Sequence, residues 1–225
     1  MMSWRYSRPR ASWSTRRSLV CEATCRSTWG QDGTCLYRTT SRTSSWRFTA
    51  GGQQLCSWNP LCTWFSSLLQ LNWKHMQRQV REEGMAFAIR LLEFSFLIMH
   101  IQLQAGRAFV LEHPMTATSW KHPQVQHVPD KFPEAQFADF DFCMFGMVTK
   151  LRREPVKKAT RLMTNCPHVL KRFRGVQCNG THDHHGQCWG SEGGQRRSTY
   201  AQYYPDLFCS CLAKCCSDFC RNVPC

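Results

Sequence analysis

Two short segments carry the residues best suited to covalent chemistry. The first, Asn59-Pro60-Leu61-Cys62-Thr63-Trp64-Phe65-Ser66, sets a thiol in a proline-bearing turn. In the second, an apolar run, Ala108-Phe109-Val110-Leu111, leads straight into Glu112-His113-Pro114. A thiolate and a carboxyl group together can activate a pyrimidine ring: sulfur adds to C6 while the acid protonates N3, and C5 becomes nucleophilic. A carboxylate at the end of a buried strand is costly without a partner, so Glu112 reads as a functional acid ahead of a cap or loop salt bridge. A buried cysteine is usually inert packing, and for Cys62 the functional and packing readings stand even.

Such a pair works only if separate elements deliver it to one place. Gln54-Leu55-Cys56-Ser57-Trp58 reads as a short strand feeding the Asn59-Pro60 turn. A helical stretch over Ser66 to Gln104 follows, with Met85, Ile89, Leu92, Phe96 and Leu103 near one face and Arg78, Arg81 and Glu82 toward water. Gly84 is a point where it can divide into two helices, and Gly106 closes it. The strand ending at Glu112 comes next, then strands through Phe140–Phe145 and Thr160–Thr164, a short helix over His168–Phe173, and a last helix from Tyr204-Pro205. Strands alternating with helices predict a layered α/β domain, in which ligands sit beyond the carboxyl ends of the strands. Cys62 and Glu112 both fall at such ends.

Several motifs recur in one order: Cys62-Thr63-x-Phe65-Ser66, Gly106-Arg107-x-Phe109, Glu112-His113-Pro114, Ala117-Thr118-Ser119-Trp120 and Phe142-Cys143-x-Phe145-Gly146. Lys158-x-Thr160-Arg161-x-Met163-Thr164-Asn165, Cys178-x-Gly180-x-His182-x-His184 and Tyr204-Pro205-x-Leu207 complete the set. Over roughly Gln53 to Ala213 this pattern resembles a methyltransferase-like domain of phage-type DNA cytosine methyltransferases and of retroelement-derived polyproteins of protists. The resemblance implies a Rossmann-like α/β fold, mobile-element origin and S-adenosylmethionine as methyl donor. It also implies Cys62 as nucleophile, Glu112 as the carboxyl engaging the base, and Asn59, Thr63, Ser66, Lys158, Thr160 and Arg161 near the substrate. The sequence departs from the family where Asn59-Pro60-Leu61 replaces Ser-Pro-Pro and Lys158-Ala159-Thr160 replaces Lys-Pro-Thr. No glycine-rich strand-to-helix turn for the donor stands in the N-terminal region, where Tyr6-Ser7-Arg8-Pro9-Arg10 is its nearest relic. An inactive descendant therefore stays open. Asn59-Pro60-Leu61 also admits an amino-methyltransferase reading, weakened by the missing aromatic residue.

Composition sets the wider bounds. A chain of 225 residues, 42% hydrophobic and 20% charged, suits one globular core rather than a disordered segment. A net charge of +14 favours an anionic partner such as nucleic acid or a membrane surface, and the resemblance implies DNA. Lys150, Arg152, Arg153, Lys157, Lys158, Arg161, Lys171, Arg172 and Arg174 form the basic set, and Phe173 among them could stack on bases. The alternative function is a non-catalytic nucleic-acid-binding protein with a basic surface and a zinc site. Zinc would take Cys178, His182, His184 or His185, and Cys188, while a polar surface loop is the competing reading of that stretch. Fifteen cysteines without a visible secretory segment read as reduced thiols, hence an intracellular protein, with the nucleus favoured by the partner. The apolar run Phe94–Ile101 is too short for a bilayer, so no membrane is expected. The expected organisation is a basic, poorly ordered and degenerate arm over 1–50, the α/β domain over 51–213, and a cysteine-rich tail over 214–225.

Overall fold

The computed structural model describes residues 44–50, 53–59, 62–149, 151–184, 190–196, 201 and 204–222; of 44–50, 53–59, 68, 195–196 and 220–222 it describes the backbone only. Most of the expected basic arm, Tyr6–Arg10 within it, Lys150 and Cys188 lie outside the described residues.

Strands β1 (Ser44–Ala50) and β2 (Gln53–Asn59) form an antiparallel hairpin. A 3-10 turn (Thr63–Phe65), the short helix α1 (Ser67–Leu71) and the long helix α2 (Arg78–Gln104) then lead to β3 (Phe109–Pro114). β3 runs parallel to β2, with Cys56 opposite Phe109 and Ser57 opposite Val110. Two one-turn helices, α3 (Pro123–Gln126) and α4 (Val128–Lys131), precede β4 (Gln136–Asp141). β5 (Ala159–Thr164) lies between β3 and β4 and is antiparallel to both. The sheet order is β1-β2-β3-β5-β4. Helix α5 (Pro167–Phe173), the small hairpin β6 (Ser191–Glu192) and β7 (Gln195–Arg196), and helix α6 (Asp206–Asn222) complete the chain.

Side-chain alternation sends successive strand residues to opposite faces, and both faces are covered. Phe109, Leu111, Phe137 and Met163 pack with Phe65, Trp120 and the α2 residues Ala88, Leu92, Phe96, Met99 and Leu103. On the other face Val110, Ala138, Phe140 and Leu162 meet Val169 and Phe173 of α5 and Phe208, Leu212, Cys215 and Cys216 of α6. The architecture is thus α/β with helices on both sides of a mixed sheet. A strand buried on both faces must be apolar throughout, as Phe109-Val110-Leu111 is.

Several expectations shift. Helix α2 runs unbroken through Gly84, because the Trp64 ring occupies the place a side chain would take: a Cβ there would lie 1.9 Å from Trp64 Cζ2. Gly106, at φ 64°, ends α2 while Arg107 N–H donates to Gln102 O at 2.8 Å. The expected strand over Phe140–Phe145 stops at Asp141, and Phe142–Phe145 form a 3-10 turn closed by Gly146 in the left-handed region at φ 80°. The expected boundary near residue 50 falls inside the β1–β2 hairpin. The expected tail from 214 is the second half of α6, whose Phe208, Leu212, Cys215 and Cys216 follow helical spacing into the core. Finally, α2 spans 27 residues with a window of mean hydropathy 1.6, so by length and composition it could cross a bilayer where Phe94–Ile101 alone could not. One stripe of it packs on the sheet, while Val80, Phe87, Phe94, Leu97 and Ile101 are exposed.

Candidate active site and metal cluster

The strand directions put the carboxyl ends of β2, β3 and β4 and the start of β5 at one edge of the sheet. Cys62 follows β2, Glu112 lies near the end of β3, and Lys158 immediately precedes β5. Glu112 is buried at 5% exposure on the α6 face, two residues along the strand from Val110. The Tyr204 hydroxyl donates to Glu112 Oε2 at 2.5 Å, and Lys158 Nζ stands 3.9 Å from Oε1. Lys158 also donates to Ala201 O at 3.1 Å, and its ammonium sits 4.9 Å from the centre of the Phe142 ring. A buried carboxylate needs this company, since an uncompensated charge here would cost several kcal/mol.

Cys62 is half-buried beside this pair. Burial pushes its thiol above the ordinary value of 9.0; Lys158 pulls it down and Glu112 pushes it up further. The thiol therefore lies within electrostatic reach of both charges. It rests protonated at neutral pH and gains thiolate character only if the balance tips toward Lys158.

The remaining sequence candidates divide. Thr160 is fully buried, and its hydroxyl donates to Lys158 O at 3.1 Å, which fixes the backbone that carries the lysine. Thr63 is exposed in the 3-10 turn, and Ser66 ends that turn half-buried. Asn59 closes β2, with its side chain outside the description. Arg161 does not join the cluster. The pleat turns it to the α2 face, where its guanidinium donates to both carboxylate oxygens of Asp139 at 2.7 Å and lies 5.3 Å from the centre of the Phe137 ring. Asp139 holds Arg161 above its ordinary value, so the guanidinium already has a permanent anionic partner. His113, also turned from Glu112, is buried with Nδ1 2.6 Å from Ser119 Oγ. Trp120 Nε1 donates to Pro114 O at 2.8 Å, and together these bonds brace the strand end that presents Glu112. Tyr204 is the partner that sequence reasoning missed as a site residue, although its Tyr-Pro motif was visible.

A second cluster stands farther along the same edge. Cys143, in the turn after β4, meets Cys178, His182 and His184 from the loop after α5, with all four ligand atoms within 4.8 Å of one another. Cys178 Sγ lies 3.5 Å from His182 Nε2 and 3.2 Å from His184 Nε2. Burial first, then the hydrogen bond with Cys178, pushes the Cys143 thiol up to about 12. Burial holds His184 below its ordinary value. Cys143 is a ligand that spacing did not offer, and the expected Cys188 lies outside the described residues. These donors form a candidate metal-binding cluster. A cleft of about 250 Å³ adjoins it, lined by Met115, Asp139, Asp141, Lys157 and Cys178; Cys62 and Glu112 do not line it.

The donor implied by the resemblance fits less well. β1 folds straight back into β2, and no connection from a described strand to a described helix contains a glycine that would let the backbone approach a nucleoside. The described residues therefore do not fit S-adenosylmethionine. No family model, characterised protein or solved structure matches the chain.

Proposed function

We propose that the chain is a DNA (cytosine-5)-methyltransferase-like protein of mobile-element origin, Rossmann-like in ancestry, that keeps the base-engaging half of the site. The observation supporting this reading is the meeting of Cys62, Glu112 and Lys158 at one sheet edge. A cytosine turned out of its stack would present C6 to Cys62 and N3 to Glu112. The sulfur–C6 bond forms as the C5–C6 π pair shifts to C4–C5 and the C4–N3 π pair moves onto N3. N3 takes a proton that the Glu112 carboxylate has first picked up from solvent, leaving the carboxylate as it began. The thiol proton leaves to solvent, with Lys158 stabilising the thiolate. Lys158 and Tyr204 hold the carboxyl in place. These residues carry the reaction as far as this reversible adduct. Binding to DNA makes an intracellular and nuclear location part of the same proposal.

The test is an oligonucleotide carrying 2-pyrimidinone in place of cytosine, which accepts a thiolate at C6 and needs no methyl donor. The expected result is an adduct on denaturing gels that maps to the Cys62 peptide, vanishes in Cys62→Ser and forms more slowly in Glu112→Gln. No adduct, or one spread over other cysteines, overturns the reading. A second reading, a non-catalytic nucleic-acid-binding protein with a zinc site, draws support from the net charge of +14 and the Cys143 cluster. It predicts affinity for DNA that falls steeply with salt and does not change in Cys62→Ser.

A further inference from the structure

We infer that Cys143, Cys178, His182 and His184 bind one zinc ion as a closed, structural site that staples the loop after α5 to the end of β4. This stands independently of the Cys62–Glu112 reading, since it shares none of those residues.

Ligand chemistry comes first. Two thiols and two imidazoles match a borderline-soft ion of tetrahedral preference and do not suit calcium or magnesium, which take oxygen. Geometry agrees. A tetrahedron with metal–sulfur bonds of about 2.3 Å and metal–nitrogen bonds of about 2.0–2.1 Å has sulfur–nitrogen edges of roughly 3.5 Å. The Cys178–His182 and Cys178–His184 separations of 3.5 and 3.2 Å fall at that spacing. Both histidines direct Nε2 to the sulfur, and their rings meet edge to face at 4.6 Å, as two ligands on adjacent corners do.

The surroundings are those of a thiolate centre. Gly180 N–H donates to Cys178 Sγ at 3.4 Å, an outer-shell bond that orients and stabilises a metal-bound sulfur. Gly180 adopts φ 76°, and Cys178 N–H is anchored to Asp141 Oδ2 at 2.8 Å. Four protein ligands leave no open position, so the ion holds structure rather than activating water. What it holds is functional ground: Asp141 also pairs with Lys157 at 3.8 Å, next in sequence to Lys158 of the thiol–carboxylate cluster.

The experiment uses the full chain, purified reduced and stripped of metal, titrated with cobalt(II) as a spectroscopic stand-in for zinc. The expected result is one cobalt per chain with tetrahedral visible bands and thiolate charge transfer, displaced by zinc. Cys143→Ser and His184→Ala should lose tight binding, while Cys62→Ser and Cys188→Ser keep it. X-ray absorption on the zinc-loaded, unaltered chain should read two sulfurs and two nitrogens, which tests the site even if a variant fails to fold. A sulfur-only shell, full binding by Cys143→Ser, loss of binding in Cys188→Ser, or no stoichiometric binding each overturns the inference.

Discussion

Replacing Lys158 by methionine isolates the electrostatic element of the thiol–carboxylate cluster, because the unbranched side chain keeps most of the apolar stem and removes the ammonium that stands over the Phe142 ring. The Lys158–Glu112 separation is 3.9 Å, with the two side chains only 14% and 7% exposed. At an effective dielectric of about 20, two unit charges at that distance attract by about 4 kcal/mol. The gross attraction is largely offset by the desolvation of both ions in the native protein, so the pair contributes little net stability. Removing one partner is different. Glu112 stays buried with its Tyr204 hydroxyl bond and without its counter-charge, and breaking a buried pair in this way costs about 3–5 kcal/mol. Urea unfolding should therefore show Lys158→Met with a sharply lower midpoint at unchanged slope. The double variant Lys158→Met/Glu112→Gln should recover much of the loss, since no unpaired charge remains. A loss under about 1 kcal/mol in the single variant, or additive losses in the double, would refute the claim that the two charges share one buried site.

Three further outcomes follow from other parts of the fold. Burial pushes the Cys215 thiol up to about 12 from an ordinary 9.0, so the folded state prefers the protonated form. Unfolded chains lose that proton first; stability should fall as pH climbs from 9.0 toward about 12, and Cys215→Ala should flatten that part of the profile in unfolding measurements. Gly84→Ala gains about 1 kcal/mol of helix propensity. The added methyl falls inside the Trp64 ring, however, so the variant should be net destabilised, read as a lower melting temperature. Arg161→Lys loses the two-pronged bond to Asp139 at partly exposed positions and should cost up to about 1 kcal/mol, leaving the salt dependence of DNA binding unchanged if Arg161 serves the fold and touches no phosphate.

How far the sequence could be read depends on which interactions are local. The strand into Glu112 and the Cys62 turn were legible because each is a continuous pattern: an apolar run ending in a charge, and a thiol following proline. Lys158 was legible through its motif. Arg161 shares that motif, yet the extended backbone of β5 sends alternate residues to opposite faces, and Asp139 waits on the far side. Cys143 could not be found from spacing, since only the fold brings the turn after β4 to the loop after α5. The C-terminal cysteines were read as a tail by their number. The positions of Phe208, Leu212, Cys215 and Cys216 carry the helical period that makes α6 part of the core. Gly84 illustrates the opposite error: a helix-weakening residue is retained because a tryptophan needs its space.

The pH dependence of Cys62 alkylation, followed by peptide mass spectrometry in the unaltered chain and two variants, reads whether thiol, carboxylate and ammonium share one site. Cys62 should react slowly at neutral pH and titrate above its ordinary value. Glu112→Gln should shift that titration down and Lys158→Met should shift it up, because one removes a repelling charge and the other an attracting one. A Cys62 profile that neither variant moves would mean that the thiol feels neither the carboxylate nor the ammonium, and that the three groups share no site.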